Sequence, residues 1–357
     1  MELSFRMNEA GLSKMGTDWL RQLKERLDSG EWLTHTPEGE PEGILTGVFV
    51  DQTRRIGLVY QQPGDDQYFQ IFLNPDGTKA DAFWSSRKNS EPEVYSEDEP
   101  SDLAEAMMEY LDCECTYFPS MTDDDPIMSA YNYAKRESVK EGFVPVLIKA
   151  DDEILWECLI MNSDPDSDGE DDFAFDPDKV AEYRKKMLSA PVENSKAVLE
   201  EMIGQRKEEA EDDDMDWDEE ILGEMEGGYD NRRFSSYWNS DNNMTYPLIL
   251  AKIPVKNPWE IFAYLPFGGW NECPNTPELM AVAKYWFEQH GAVPAAMSHD
   301  ELEFLLPAPV PEEKAMDAAV ELYGFCPDVI DQGPEDATVG ALADVLRQST
   351  VWYFWWD

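Results

Sequence analysis

The sequence predicts an α+β protein of two domains, built from mixed or antiparallel sheets with packed helices and a long acidic insertion in the second domain. Three observations support this class. The 357 residues exceed the roughly 100–200 residues of one ordinary domain. Hydrophobic residues make up 42% of the chain and aromatic residues 12%, which is enough to form sizeable cores. Segments of helical and of strand-like hydrophobic period both occur along it.

The first domain is predicted over residues 1–120. Residues 14–28 carry an apolar stripe at helical spacing, which predicts an amphipathic helix. Three strands are predicted to follow over 44–51, 55–62 and 67–75, the last two joined by a Pro-Gly-Asp-Asp turn. Residues 101–118 begin with a serine that can cap a helix, and they predict a helix followed by a short strand.

A bridging helix is predicted over 121–142, and the second domain over 143–357. Its first elements are expected to be two strands, at 143–151 and 153–161. An acidic insertion then covers about 162–230, with helices predicted within 177–209. The expected fold continues with strands at 245–254 and 259–266 and with helices at 276–291, 312–324 and 338–350. Two short strands are expected between the first two of these helices, and a very apolar strand is expected at 351–357.

Charge limits the partners that this chain can bind. Lys and Arg number 28 against 76 Asp and Glu, a net charge of −48. Such a field repels phosphates, so direct binding to nucleic acid or to an anionic membrane is not expected. Residues 151–230 hold 29 acidic and 7 basic residues, net −22, so the acid is concentrated there. No apolar run of transmembrane length and no signal-peptide core is present, and a cytoplasmic location is expected.

The densest acidic run lies at residues 208–220, where ten of thirteen residues are Asp or Glu. One interpretation is a docking segment for a basic protein, in which the acids accelerate encounter and an aromatic residue anchors the complex. Mimicry of nucleic-acid phosphate is a related interpretation, and a solvated loop that only maintains solubility is the structural alternative. The residues expected to contact a partner are Glu211, Asp212, Asp213, Asp214, Asp216, Trp217, Asp218, Glu219 and Glu220.

A second acidic loop resembles the start of an EF-hand. Five oxygen-bearing side chains occupy alternate loop positions with a glycine at the sixth, a spacing that suits Ca²⁺. They are Asp164, Asp166, Asp168, Glu170 and Asp172. The twelfth position is Phe175, so the bidentate glutamate of a calcium loop is missing. A solvated loop is therefore the main expectation, and Ca²⁺ is the one cofactor for which the sequence offers any ligand pattern.

Catalysis by a thiol or a carboxylate is the alternative to a binding function. Cys273, His299 and Asp300 could act as nucleophile, base and orienting group, and Cys326 with Asp328 supplies a second thiol beside a carboxylate. Sequence separation does not show whether these side chains meet, and buried cysteines with a turn histidine are the structural alternative. Cys113 and Cys115 are one residue too close for a CxxC motif, and no structural zinc site is expected.

The C-terminal half resembles a known bacterial family. The motifs YLPFGGWNECP (264–274), KYWFEQHGAVP (284–294), HDELEF (299–304), YGFCPDVIDQG (323–333) and VWYFWWD (351–357) occur in this order and spacing. They resemble DUF4253, a family without an assigned activity, over about 245–357 and with a looser upstream part from about 143. The resemblance implies no mechanism, and residues 1–120 show no such likeness.

These observations favour a non-enzymatic acidic interaction protein. An immunity or inhibitor protein that binds a basic toxin or nuclease is the expected form, by analogy with other small acidic bacterial proteins. A thiol- or carboxylate-dependent hydrolase with its site near Cys273, His299 and Cys326 is the alternative.

Overall fold

The computed structural model describes residues 99–167, 173–192, 194–240, 242–333 and 337–357, together with the backbone of five strands further upstream. The chain divides into two units, Met1–Glu93 and Val94–Asp357. No helix among these described residues is long and apolar enough to cross a membrane.

The first unit contains a five-stranded antiparallel sheet in which the strands follow in chain order. Its strands are β1 (Thr34–His35), β2 (Gly43–Val50), β3 (Ile56–Gln61), β4 (Gln67–Leu73) and β5 (Lys79–Ser86). The three predicted strands correspond to β2, β3 and β4, while β1 and β5 were not predicted. The helix predicted over 14–28 lies outside the described residues.

The second unit is built on a six-stranded mixed sheet of order β13-β12-β11-β7-β10-β6. All neighbouring strands in it are antiparallel except β7 and β11, which are parallel. Its strands are β6 (Glu114–Phe118), β7 (Val144–Lys149), β10 (Leu248–Ile253), β11 (Val293–Met297), β12 (Glu301–Leu305) and β13 (Val351–Trp355). A separate small ribbon pairs β8 (Trp238–Asn239) with β9 (Met244–Thr245). Helices together with this mixed sheet confirm the α+β class.

Helices surround this sheet. They are α1 (Asp102–Leu111), α2 (Asp125–Glu141), α3 (Glu153–Ser163), α4 (Pro177–Ser189), α5 (Ser195–Asp212), α6 (Thr276–His290), α7 (Glu312–Phe325), α8 (Asp328–Asp331) and α9 (Val339–Leu346). A π-helix spans Trp217–Leu222 and a 3₁₀-helix spans Pro258–Ala263. The smaller core lies between α2 and the sheet, and the larger core includes buried residues of the other long helices.

The large core is dominated by aromatic rings from the C-terminal part. Trp352, Phe354 and Trp356 alternate along and just beyond β13, and all three are buried. The Trp286 ring of α6 stacks on Phe354 with centroids 5.4 Å apart, and Phe325 of α7 meets Phe354 edge-on at 5.1 Å. The apolar chain end is thus a core strand, as its composition predicts, because exposing these rings would promote aggregation.

Two predicted strands are helical in the structure. Residues 153–161 belong to α3, whose first turn is capped by the Asp152 carboxylate accepting the Leu155 N–H at 3.0 Å. Residues 259–266 fall largely in the 3₁₀-helix, where Asn257 and Glu260 form a capping box. Both segments are short apolar runs, which occur in buried helices and in buried strands alike. Periodicity therefore could not distinguish a helix from a strand here. The sequence signal for a helix was the presence of capping residues, Asp152 before the first segment and Asn257 with Glu260 at the second.

The boundary between the units also lies earlier than residue 120. Strand β6 pairs with β10 through partners such as Phe118 and Leu248, so α1 and β6 belong to the second unit. Helix α2, predicted as a bridge, packs on β7 and β10 of the same unit. The acidic stretch 162–230 contributes α4, α5 and the π-helix, which bury Val180, Leu199, Ala210 and Ile221 in the large core.

Candidate functional site

The acidic run at 208–220 has a defined backbone. Helix α5 ends at Asp212, and Asp214 takes a left-handed conformation at φ 57°. Asp216 then caps the π-helix: its Oδ1 accepts the N–H groups of Asp218 and Glu219, each at 2.9 Å. In return, the Glu220 carboxylate accepts the Asp216 N–H at 2.6 Å. The segment is therefore a turn held by its own carboxylates, as in other reciprocal helix caps.

Eight carboxylates of this turn form what we call the acidic surface. They are Glu211, Asp212, Asp213, Asp214, Asp216, Asp218, Glu219 and Glu220. All eight residues are exposed. Within the described part of the chain, no ion pair reaches any of them, whereas the neighbouring Glu209 pairs with Arg206 at 2.8 Å. The acidic surface is consequently a concentration of negative charge that forms no ion pair with the described residues.

Trp217 lies in the middle of the acidic surface, but its ring is directed partly inward. It is half-buried against the large core, with its ring centroid 6.2 Å from that of Tyr323. The Lys207 Nζ lies 5.2 Å from the same indole, within cation–π range. An open depression lies here, lined by Lys207, Ala210, Glu211, Asp214, Met215, Trp217 and Asp218. Trp217 thus lines a recess instead of protruding as a free anchor.

The EF-hand-like loop already holds a cation, the ammonium of Lys179. Its Nζ lies 3.2 Å from Asp164 Oδ1 and 2.9 Å from Asp166 Oδ2. The other Asp164 oxygen accepts the Asp176 N–H at 2.9 Å, so this buried carboxylate serves the start of α4. Asp168, Glu170 and Asp172 lie outside the described residues. Of the five proposed ligands, the two that are described therefore share a lysine.

Three carboxylates around α2 could also be considered for a metal ion. One oxygen from each of Asp123, Asp124 and Asp125 lies within 4.8 Å of the others. Asp124 is buried, however, and its two oxygens are engaged by Arg233 at 2.7 Å and the Tyr237 hydroxyl at 2.8 Å. The central carboxylate is therefore already neutralised by protein groups.

His299 lies at the carboxyl ends of the parallel pair β7 and β11, where α/β proteins commonly bind ligands. Its Nδ1 is 2.9 Å from Asp152 Oδ2, and its Nε2 is 3.5 Å from Asp300 Oδ2. Hydrogen bonding to Asp152 raises the pKa of His299, and the same contact helps lower the pKa of Asp152 despite its burial. With both ring nitrogens facing carboxylates, His299 is suited to an ion pair when its ring is protonated.

The predicted thiols do not join His299. Cys273 and Cys326 are buried, and burial raises the pKa of both. The Cys326 thiol donates to the Trp355 carbonyl at 3.0 Å. No hydrogen bond links either thiol to His299 among the described residues. Neither proposed nucleophile is therefore hydrogen-bonded to the proposed base in this part of the chain.

Asp328 has a structural contact at the chain end. Its Oδ2 accepts the Asp357 N–H at 3.0 Å, and Asn271 donates to the Asp357 carbonyl at 2.7 Å. These bonds tie the last residue to α8 and to the turn after the 3₁₀-helix. Asp300 likewise accepts the Trp355 indole N–H at 3.1 Å, so both acids hold the segment around β13.

One comparison with known proteins gives a match. The family model DUF4253, a domain of unknown function, matches residues 249–357. This confirms the resemblance inferred for the C-terminal half. No curated protein sequence matches the chain, and no solved structure matches it. The acidic surface lies outside the matched segment, whereas Cys273, His299 and Cys326 lie inside it.

Proposed function

We propose that this protein is an acidic interaction protein that binds a basic protein through the acidic surface, with inhibition of a basic toxin or nuclease as its biological form. The observation that carries this proposal is the absence of any ion pair to the eight exposed carboxylates within the described chain. A basic partner would provide that compensation. Nucleic acid would be repelled by the same charges.

The ordered backbone supports recognition beyond simple solubility. Because Asp216 and Glu220 hold the turn by reciprocal capping, the backbone that carries the other carboxylates has a defined course before a partner arrives. A preorganised charged surface loses less conformational entropy on binding than a flexible tail does. It also accelerates encounter with an oppositely charged protein, an effect that salt weakens.

The depression beside Trp217 defines where a basic side chain would enter. Glu211, Asp214 and Asp218 line it, and the indole provides an aromatic face. An Arg or Lys of the partner could replace Lys207 over that face, gaining cation–π contact and nearby carboxylates together. The proposal therefore requires at least one basic side chain at the centre of the partner's contact surface.

The test compares two charge-matched triple variants. The first, Glu211→Gln with Asp214→Asn and Asp218→Asn, neutralises the depression while leaving the capping residues Asp216 and Glu220 intact. The control, Glu141→Gln with Glu157→Gln and Glu288→Gln, neutralises three exposed acids on other helices. Each tagged protein is used to capture partners from nuclease-treated lysate of the source organism at about 50 mM and about 500 mM salt.

We expect one basic protein to be retained by the native and control proteins at low salt and lost with the depression variant. The affinity between this basic protein and our protein is then measured with purified components. It should be at least about tenfold lower for the depression variant than for the native protein, and it should fall further at high salt. Equal retention by both variants, or binding indifferent to salt, would contradict the proposal. The hydrolase alternative has less support, since both thiols are buried and the His299 nitrogens face carboxylates.

A further inference from the structure

Cys113 and Cys115 form a thiol pair at an edge of the second-unit sheet. Cys115 lies in β6, the last strand of that sheet, and Cys113 lies in the turn between α1 and β6. Their sulfur atoms are 3.9 Å apart. Both side chains are only half-buried. Two thiols are therefore in contact with each other and within reach of solvent.

The other three cysteines are in a different state. Cys158, Cys273 and Cys326 are buried, and burial raises the pKa of each thiol. A buried, protonated thiol reacts slowly with disulfides and alkylating reagents because the thiolate is the nucleophile. The chain thus separates three inert thiols from one accessible pair.

The surroundings of the pair favour a thiolate on one member. The Cys115 thiol hydrogen-bonds to Cys113 and is the main cause that lowers the pKa of Cys113. The nearby Arg184 guanidinium and the Lys252 backbone N–H act in the same direction, whereas the pKa of Cys115 is raised. Because Arg184 and the Lys252 N–H act on Cys113, we take Cys113 as the attacking sulfur.

Arg184 is held in place independently of the cysteines. Only 8% of its surface is exposed, and its guanidinium lies between two rings, 5.0 Å from the Tyr110 centroid and 4.3 Å from that of Tyr264. It also donates to the Tyr110 carbonyl. Its Nε has no hydrogen-bond partner among the described residues. The buried positive charge favours an anionic sulfur at Cys113.

We propose that Cys113 and Cys115 form a redox site that interconverts between a dithiol and an intramolecular disulfide by exchange with small disulfides such as glutathione disulfide. The carrying observation is the contact of two accessible sulfurs, with three other thiols of the same chain buried. The site lies outside the segment matched by the family model, and the inference is independent of partner binding.

The exchange balances in two steps. The Cys113 thiolate attacks one sulfur of glutathione disulfide, forming a mixed disulfide and releasing one glutathione thiolate. The Cys115 thiol gives its proton to solvent or to that thiolate and attacks the Cys113 sulfur, releasing the second glutathione. The cysteine pair is oxidised by two electrons, and the glutathione disulfide is reduced to two thiols.

Formation of the bond requires only local movement. The sulfurs must approach from 3.9 Å to about 2.05 Å, the length of a disulfide. Because the ring closes over a single intervening residue, it is strained, and strained disulfides are readily reduced.

The experiment treats the full chain with glutathione disulfide under native conditions and follows it by intact-protein mass spectrometry. We expect a species lighter by about 2 Da, the mass of the two hydrogens lost on disulfide formation. Peptide mapping should place the bond between Cys113 and Cys115, and dithiothreitol should reverse it. A Cys158→Ser variant, which lacks only a buried thiol, is the matched control and should behave as the native protein.

Single variants identify the attacking sulfur. Cys115→Ser should accumulate the glutathione adduct on Cys113, because the second step is blocked. Cys113→Ser should form its adduct more slowly, since burial and the Glu114 charge still raise the pKa of Cys115 once Cys113 is gone, and the Arg184 charge that lowers the pKa of Cys113 does not act on Cys115. Absence of the lighter species, formation of intermolecular disulfides instead, or equal adduct rates in the two variants would overturn the proposal. Both substitutions are nearly isosteric at half-buried positions, and circular dichroism checks that the variants fold.

Discussion

Asp152 and His299 are joined by two hydrogen bonds that end on one carboxylate oxygen. Asp152 Oδ2 accepts the backbone N–H of His299 at 3.0 Å and lies 2.9 Å from its Nδ1. The other oxygen of Asp152 caps α3 through the Leu155 N–H. One buried carboxylate thus connects the start of α3 to the turn after β11, two places 147 residues apart in the chain.

The first prediction concerns the charge of His299. Because its folded pKa is raised, its contribution to stability is complete below its unfolded pKa of about 6.5 and is lost as pH rises through the folded value. His299→Gln should therefore lower the unfolding free energy by roughly 1–2 kcal/mol at pH 5.5, with a smaller difference near pH 9. Denaturant unfolding across that range measures it.

His290 provides the matched control for that measurement. Burial lowers the pKa of His290, so the folded protein resists protonation of this side chain. The free energy of unfolding therefore falls as the pH falls. His290→Gln should remove a penalty at low pH, which is the opposite trend. The same pH trend in both variants would contradict the assignment of an ion pair to His299.

The second prediction concerns Glu301, which is partly buried and accepts the Tyr353 hydroxyl at 2.7 Å. Burial raises its pKa from 4.5 to about 7. When the pKa of an acid is higher in the folded protein than in the unfolded chain, the protein loses stability as the pH rises from the unfolded pKa to the folded pKa. The full loss of stability persists at every pH above the folded pKa. Glu301→Gln should therefore stabilise the protein at pH 8 by up to about 3 kcal/mol and have little effect at pH 4.

Glu303 should respond in the opposite direction to the same substitution. Its two oxygens accept the backbone N–H groups and hydroxyls of Ser235 and Ser236. Burial raises the pKa of Glu303, as it does that of Glu301, but the Glu303 carboxylate also accepts four hydrogen bonds. An amide at this position would point its own N–H groups at some of those N–H and O–H donors. We expect this loss to exceed the relief of the buried charge, so Glu303→Gln should destabilise the protein at pH 8. Thermal melts of both variants decide this; stabilisation by Glu303→Gln would contradict the described acceptor role.

The third prediction concerns the cap of the acidic turn. Asp216→Ala removes the acceptor for two backbone N–H groups and should destabilise the turn by about 1 kcal/mol. Cleavage by a glutamate-specific protease at Glu219 or Glu220 should then become faster under native conditions. Asp218→Ala, which removes an exposed carboxylate with no capping bond, is the control and should leave the rate near that of the native protein.

The fourth prediction uses two glycines with opposite surroundings. A Cβ at Gly268 would lie 2.0 Å from the Pro274 carbonyl oxygen, whereas a Cβ at Gly204, within α5, meets nothing within 4 Å. Gly268→Ala must displace backbone and should destabilise the protein by at least about 1–3 kcal/mol. Gly204→Ala should stabilise it by up to about 1 kcal/mol, since alanine favours a helix. Chemical denaturation of both variants checks the contrast.

The fifth prediction concerns Ca²⁺. Because Lys179 engages Asp164 and Asp166, about 1 mM Ca²⁺ should shift the native melting temperature by less than about 1 °C relative to chelator. Lys179→Gln removes the competing ammonium and should show a larger Ca²⁺-dependent shift. A clear shift in the native protein, with none added by the substitution, would show that the lysine does not compete with the metal.

The sequence predicted elements well where their hydrophobic period was clear. The helix at 276–291 matches α6, with Leu279, Ala283 and Trp286 buried and Gly291 at its end in the left-handed conformation. The final strand matches β13. The prediction failed at 153–161, where nearly every residue is apolar and neither a period of two nor one of 3.6 is visible. There the capping contact at Asp152 and packing on both sides select the helix.

By itself, the sequence determined the fold class, the resemblance of the C-terminal segment and the strong negative charge, because composition and local period are properties of consecutive residues. The tertiary structure decided which side chains meet. In the structure His299 contacts Asp152 and is not hydrogen-bonded to a thiol. Lys179 forms ion pairs with the EF-hand-like loop, and the Trp217 ring is directed partly inward. The tertiary structure also brought the sulfurs of Cys113 and Cys115 together at the end of α1. The contacts of His299 with Asp152 and of Trp217 with Tyr323 join segments far apart in sequence, whose approach is set by burial of the common core and not by spacing. The contacts of Lys179 and of the two cysteines are more local, and they depend on side-chain directions that the sequence does not show.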